Sequence, residues 1–245
     1  MEQPAIELLG VTVLEPVTTG TDILASAVCF FAFFRLTRLS LRDPHSNAAI
    51  ARSVRFVRYY FLLMGIATLI GGVIGHGFLY LFSFAWKLPG WITSMVAVML
   101  LERASIEQLR DYLPRRGTRA LSTVNLVELA VFMLLTLVTL NFRFVEIHSA
   151  YGILVVVGSL QLYALLKMRI PAARVYLIAI AWAALSGVVY IGEFGLSIWF
   201  NHYDLSHTLM AVANFVFYRG AVELRNGRWT AAAVDHGRSR KALAQ

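Results

Sequence analysis

The stretch YYFLLMGIATLIGGVIGHGFLYLFSF, residues 59–84, runs through 26 positions without an Asp, Glu, Lys or Arg. The hydrocarbon core of a bilayer is about 30 Å thick and takes roughly 20 apolar residues of helix to cross, whereas buried helices of soluble domains have shorter apolar runs. This stretch therefore reads as a transmembrane helix. Outward from it, six more runs have the same character: Asp22 to Leu39, Trp91 to Leu113, Ala120 to Phe142, Ile147 to Lys167, Val175 to Phe200 and Tyr203 to Arg219. The expected fold is an all-α, polytopic bundle of seven transmembrane helices. Of the 245 residues 58% are hydrophobic and 15% charged, against about 25% charged in soluble domains. Seven spans of about 20 residues occupy roughly 140 positions, which leaves no room for a sizeable extramembrane domain.

The basic residues set the expected orientation. Arg35, Arg38, Arg42, Arg52, Arg55 and Arg58 lie in or beside the first connection, and Arg103, Arg110, Arg115, Arg116 and Arg119 in or beside the third. Lys167, Arg169 and Arg174 lie in the fifth, and Arg219, Arg225, Arg228, Arg238, Arg240 and Lys241 follow the last span. Only Lys87 and Arg143 remain for the other side. The positive-inside rule then puts the N-terminus outside and the C-terminus in the cytoplasm, and seven is the count that gathers these basic segments on one side. The expected division is an extracytoplasmic segment over 1–21, the seven-helix domain over 22–220 and a basic cytoplasmic tail over 221–245, mobile from Trp229 onward. The expected location is a plasma membrane or bacterial inner membrane. The net charge of +8 is mainly a topology signal, with anionic membrane lipids as the nearest partners and no nucleic acid expected. The first twenty residues carry acidic groups but no basic one, unlike a secretory signal, so the N-terminus is expected to stay on the protein. The single cysteine, Cys29, excludes an intrachain disulfide and a thiolate metal site.

Ionisable groups are costly in hydrocarbon and usually face a protein interior or a wet cavity. Counting 1.5 Å per helical residue brings His76, His148, His202 and His207 to one level near the outer face, with Glu15, Asp22, Glu193 and Asp204 at the same end. His45 and His236 fall in a cytoplasmic loop and the tail. His76 lies in a glycine-rich run where Gly71 and Gly75 form a small-xxx-small face open to another helix. Asp204 and His207 are three apart and share a helical face. Asp204 either orients the imidazole or caps the helix start. The Trp and Tyr residues at this level read as an interfacial belt. Deeper, Glu102 and Glu128 fall at similar depth, and Arg103 is the expected ion-pair partner of Glu128, with a proton path as the alternative reading.

These residues exclude some chemistries. None of the three lysines, Lys87, Lys167 and Lys241, lies in the last span, so a retinal Schiff base is excluded. No G-x-S-x-G, P-loop or dinucleotide fingerprint is present. Histidines gathered at one level suit zinc, which in catalytic sites keeps one position for an ionisable water.

At topology level the chain resembles the seven-helix superfamily of alkaline ceramidases and adiponectin-type receptors. In that superfamily a histidine late in span two and histidines opening span seven hold zinc on the side of the N-terminus, and the reaction is hydrolysis of a lipid amide. His76 and His207 match that placement. The superfamily's span-two serine would fall on Gly72 and the first histidine of its H-x-x-x-H pair on Tyr203, and its acidic residue early in span three has no counterpart. The resemblance implies zinc on His76 and His207, with His202 or His148 as third ligand and Asp204 or Glu193 as base or ring-orienting carboxylate. Two other readings stand beside this lipid amide or ester hydrolase. One is a non-enzymatic receptor, scaffold or carrier binding a lipid or small molecule. The other is an electron carrier with haem between a facing pair such as His76 and His148.

Overall fold

A computed structural model describes residues 3–42 and 47–227. His45, His236 and the basic tail beyond residue 227 lie outside the described residues. Among the described residues the fold is all-α apart from a small hairpin, β1 (Ile6–Leu8) and β2 (Val11–Val13), turned by Leu9 and Gly10 at positive φ. Seven long helices follow: α1 (Pro16–Arg42), α2 (Ala48–Gly77), α3 (Leu88–Gln108), α4 (Arg115–Thr139), α5 (Arg143–Leu166), α6 (Pro171–Ile191) and α7 (His202–Asn226). The first six are long and apolar enough to cross a membrane, as an integral membrane protein requires. The seventh is equally long but carries more polar residues.

The helix ends depart from the hydropathy limits for local reasons. Helix α2 starts well before Tyr59 because Asn47 caps it, accepting from the backbone N–H groups of Ala49 and Ile50 at 2.8 and 3.1 Å, so the turns holding Arg52, Arg55 and Arg58 are helical. At its other end the apolar run outlasts the helix, and Leu79–Leu81 and Phe84–Lys87 form separate 3-10 turns. Helix α6 stops at Ile191, because Glu193 turns to φ 53° and the apolar segment after it is irregular. Two helices contain a π segment: Gly71–Gly77 ends α2, and Tyr151–Val157 lies inside α5.

Short connections between helices that pack along their lengths make an antiparallel series. Helices α1, α2, α3, α5, α6 and α7 surround the main apolar core, which includes Leu36, Phe61, Leu101, Val157, Tyr176 and Phe217. Helix α4 lies at the periphery against α3 and α5. Its large apolar side chains point away from the protein, with Leu134 61% and Val138 75% exposed, while Asn125, Leu129 and Thr136 are buried. That inversion suits a helix whose outer solvent is lipid.

Buried polar contacts tie the helices together where apolar packing alone lacks direction. Ser26 Oγ donates to the Gly65 carbonyl at 2.8 Å between α1 and α2. Gln161 Nε2 donates to Ser105 Oγ at 3.1 Å and Gln108 Oε1 at 2.9 Å between α5 and α3. Tyr60 Oη donates to Asn214 Oδ1 at 2.5 Å between α2 and α7. Removing one member of a buried pair strands the other, at about 1–3 kcal/mol. Tyr60→Phe and Asn214→Leu should therefore each lower the detergent unfolding midpoint, and the double variant should lose less than the sum; strictly additive losses would show that the bond contributes nothing.

Candidate metal centre

The hairpin end of the bundle is built by α1, α2 and α7. Helix α1 approaches α2 closely where Asp22 lies over Gly72: a Cβ on Gly72 would stand 2.6 Å from Asp22 Cβ and 3.2 Å from the Thr19 carbonyl. Gly77 faces Thr19 in the same way, with Thr19 Oγ1 at 3.1 Å from a Cβ built there. Gly72 and Gly77, rather than Gly71 and Gly75, thus carry the tightest contacts. The π segment widens this turn of α2, and Thr19 Oγ1 donates to the Gly72 carbonyl at 3.2 Å. Leu14 N–H donates to the Gly77 carbonyl at 3.1 Å, which fastens the hairpin to the end of α2.

These contacts converge three ligand-bearing side chains. One donor atom from each of Asp22, His76 and His207 lies within 4.8 Å of the other two. Asp22 Oδ1 is 3.3 Å from His207 Nδ1, and Asp22 Oδ2 is 4.0 Å from His76 Nε2. The two imidazoles meet edge to face with centroids 5.9 Å apart. Asp22 is buried, and His207 Nδ1 is buried without a hydrogen-bond partner. His76 Nδ1 is held by Glu15 Oε2, so its Nε2 is the nitrogen turned toward Asp22. Burial alone would raise the Glu15 carboxyl, but its hydrogen bond to His76 and the charges of His76, Lys87 and His202 hold it below the usual range.

Helix α7 brings His207 to this point through its capped start. The Asn201 side chain accepts from the Tyr203 and Asp204 N–H groups at 2.8 and 3.4 Å, and Asp204 Oδ2 accepts from the Asn201 N–H at 2.6 Å. Gln3 Nε2 donates to the same Asp204 oxygen at 2.6 Å, while Gln3 Oε1 accepts from the Val17 N–H at 3.1 Å. Gln3 therefore stitches the starts of α1 and α7 together, and Asp204 completes a capping box. The carboxylate facing the His207 ring comes from α1.

The other candidates are not among the three converging donors. His202 and Glu193 line a shallow open pocket with Tyr190, Tyr203, Glu146 and Arg143, and the His202 ring lies 4.2 Å from that of Tyr203. His148 is fully buried in a second cluster, with Glu102 and Glu128. His76 and His148 thus belong to separate clusters and do not form the facing pair that an axial haem needs. The expected Arg103–Glu128 pair is replaced as well: Arg103 Nη2 donates to the Ser122 carbonyl at 3.1 Å, and Glu128 meets His148. Successive helical residues point about 100° apart, so Arg103 cannot share the inward face that Glu102 occupies.

Sequence reasoning places Asp22 at the right level without making it a ligand. The signal available is Gly72, which opens space on α2 for a side chain of a neighbouring helix.

Among comparisons with known proteins, a family model described as "Family of unknown function (DUF6962)" matches residues 17–226. The chain belongs to this family. No curated protein and no solved structure matches it. The matched range of this DUF6962 member takes in all three converging residues. Gly72→Ala should force α1 away from α2, with a loss of about 1–3 kcal/mol typical of overpacking. Gly187→Ala, where a Cβ meets nothing within 4 Å, should leave the unfolding midpoint near that of the parent; equal effects would remove the close approach from the account.

Proposed function

We propose that this protein is a seven-span integral membrane protein, N-terminus outside and C-terminus cytoplasmic, whose outer end holds a zinc ion and hydrolyses a lipid amide or ester. The observation that carries the reading is the convergence of Asp22, His76 and His207, with a buried His207 nitrogen that has no hydrogen-bond partner. Two imidazoles and one carboxylate make a donor set used in catalytic zinc sites, where the fourth position is left for water. The Glu15 carboxylate on His76 Nδ1 is the outer partner that metal-bound imidazoles normally have, fixing ring and tautomer. When bound, zinc supplies a Lewis acid and a water ionised near neutral pH.

On this proposal the departures from the ceramidase-like pattern are compensated from α1. The serine position falls on Gly72, and the space above Gly72 is filled by Asp22. A carboxylate from α1 thereby takes the place of an acidic residue from span three. Asp204 acts by holding the start of α7, one turn before His207, and Glu193 faces the neighbouring pocket. Lateral access for a lipid fits a site formed at the ends of helices whose flanks are apolar.

A non-enzymatic lipid or small-molecule binder is the second reading, and the pocket formed by Tyr190, Glu193, His202 and Tyr203 favours it. Metal analysis of the detergent-purified protein distinguishes the two. His76→Ala and His207→Ala should each remove the outer ion, and Glu15→Gln should weaken its affinity about 10–100-fold, the usual effect of losing such a partner. Chelation should abolish hydrolysis of a lipid amide or ester, with activity restored by added zinc. Metal content unchanged in both histidine variants would leave the binder. A reporter inserted between α1 and α2 should be active only on the cytoplasmic side; activity outside would reverse the orientation.

A further inference from the structure

A second group of donors lies between α3, α4 and α5, away from the hairpin end. One donor atom from each of Glu102, Glu128 and His148 lies within 4.8 Å of the other two. His148 Nε2 is 3.0 Å from the Met95 carbonyl, which can only accept, so Nε2 carries a proton. Both carboxylate oxygens of Glu128 lie 2.8 and 2.9 Å from Nδ1. With Nε2 protonated, the neutral ring turns a lone pair from Nδ1 toward that carboxylate. Such a contact is stable only with a cation between the two, either a second proton or a metal ion.

The remaining details distinguish these cations. Glu102 is fully buried, and its Oε1 has no hydrogen-bond partner. Its other oxygen accepts from Asn125 Nδ2 at 3.2 Å. A proton shared by His148 and Glu128 adds no partner for the Glu102 carboxylate; an ion held by all three residues does. Two of the three residues already have the outer partner that metal ligands usually have, the Met95 carbonyl on His148 and Asn125 on Glu102. Gly152, in the π segment of α5, keeps the space before Glu102 Oε1 open: a Cβ there would stand 2.5 Å from that oxygen and 2.6 Å from Val98 Cγ1. Donors around one ion stand about 3.0 Å apart in cis octahedral positions and about 3.4 Å apart in tetrahedral ones, so His148 and Glu128 need open only slightly to admit it.

We propose that Glu102, Glu128 and His148 form a second, enclosed site for a divalent metal ion of the zinc or manganese class, which ties α3, α4 and α5 together. One imidazole and two carboxylates suit either metal. Met95, Leu129 and Val145 cluster beside the site, and the Phe132 ring lies 6.1 Å from that of His148. This apolar wall makes the ion a structural tie among helices. The inference stands independently of the hydrolase reading.

The test is zinc stoichiometry on the full chain in detergent, with zinc chloride as the probe, in the wild type and in His76→Ala/His207→Ala. The double variant should keep one equivalent per chain. Glu102→Gln and Glu128→Gln, nearly isosteric, should each lower zinc by one equivalent in both backgrounds. X-ray absorption on the double variant should show nitrogen and oxygen donors at about 2.0–2.2 Å. A folded double variant that binds no zinc would show that the cation is a proton and overturn the proposal. Unchanged stoichiometry on Glu102→Gln would overturn it as well. If the double variant fails to fold, the one-equivalent difference between wild type and Glu102→Gln decides alone. Failure of the outer site instead shows as a wild type that binds no more zinc than the double variant.

Discussion

The close crossing of α1 on α2 at Asp22 and Gly72 is the constraint on which the hairpin end depends. An acidic side chain near the start of a membrane helix could remain hydrated at the interface. Here the missing side chain of Gly72 lets Asp22 enter the bundle, where it is buried. Once inside, a carboxylate in low-dielectric surroundings has to find positive charge or donors. His76 and His207 are the groups that α2 and α7 bring to it. The hairpin, the Gln3 bridge and the capping box of α7 fix the three helix ends in the positions this contact requires.

Both polar clusters adjoin a π segment. A π turn adds a residue to the helix and rotates the turns after it relative to those before it, and such insertions occur often at functional sites. In α2 the segment contains His76; in α5 it starts three residues after His148 and contains Gly152. Each π segment also contains a glycine beside a carboxylate of another helix, Gly72 with Asp22 and Gly152 with Glu102. The recurrence argues that the wider turns and the glycines act together to admit a charged group where helices touch.

The number of long helices and the level of their polar residues are legible in the sequence, because apolar length and depth are one-dimensional quantities. Helix ends are less so. The run 192–200 is mostly apolar yet irregular, as hydropathy does not sense the backbone turn at Glu193, and the start of α2 hides in arginines that read as a loop. Lateral arrangement is the main loss. Depth does not say which helices touch, and the structure divides His76, His148, His202 and His207 among two clusters and a pocket. The matching depth of Glu102 and Glu128 is visible in the sequence. Their partner is not, because Arg103 is adjacent to Glu102 in sequence while helical rotation turns it toward the Ser122 carbonyl.

Charge balance gives the two clusters their chemical character. Glu15 and Asp22 accompany His76 and His207 at the hairpin end, whereas Glu102 and Glu128 accompany His148 alone in the apolar interior between α3, α4 and α5. The first group has two carboxylates for two imidazoles, with Asp22 Oδ1 3.3 Å from His207 Nδ1. The second has two carboxylates for one imidazole, and the Arg103 guanidinium donates to the Ser122 carbonyl, while no hydrogen bond joins it to either carboxylate among the described contacts. In a medium where an unmatched charge costs several kcal/mol, an added cation offsets more charge in the second group than in the first. The end with partial solvent access suits an exchangeable ion and chemistry, and the enclosed site suits an ion that stays.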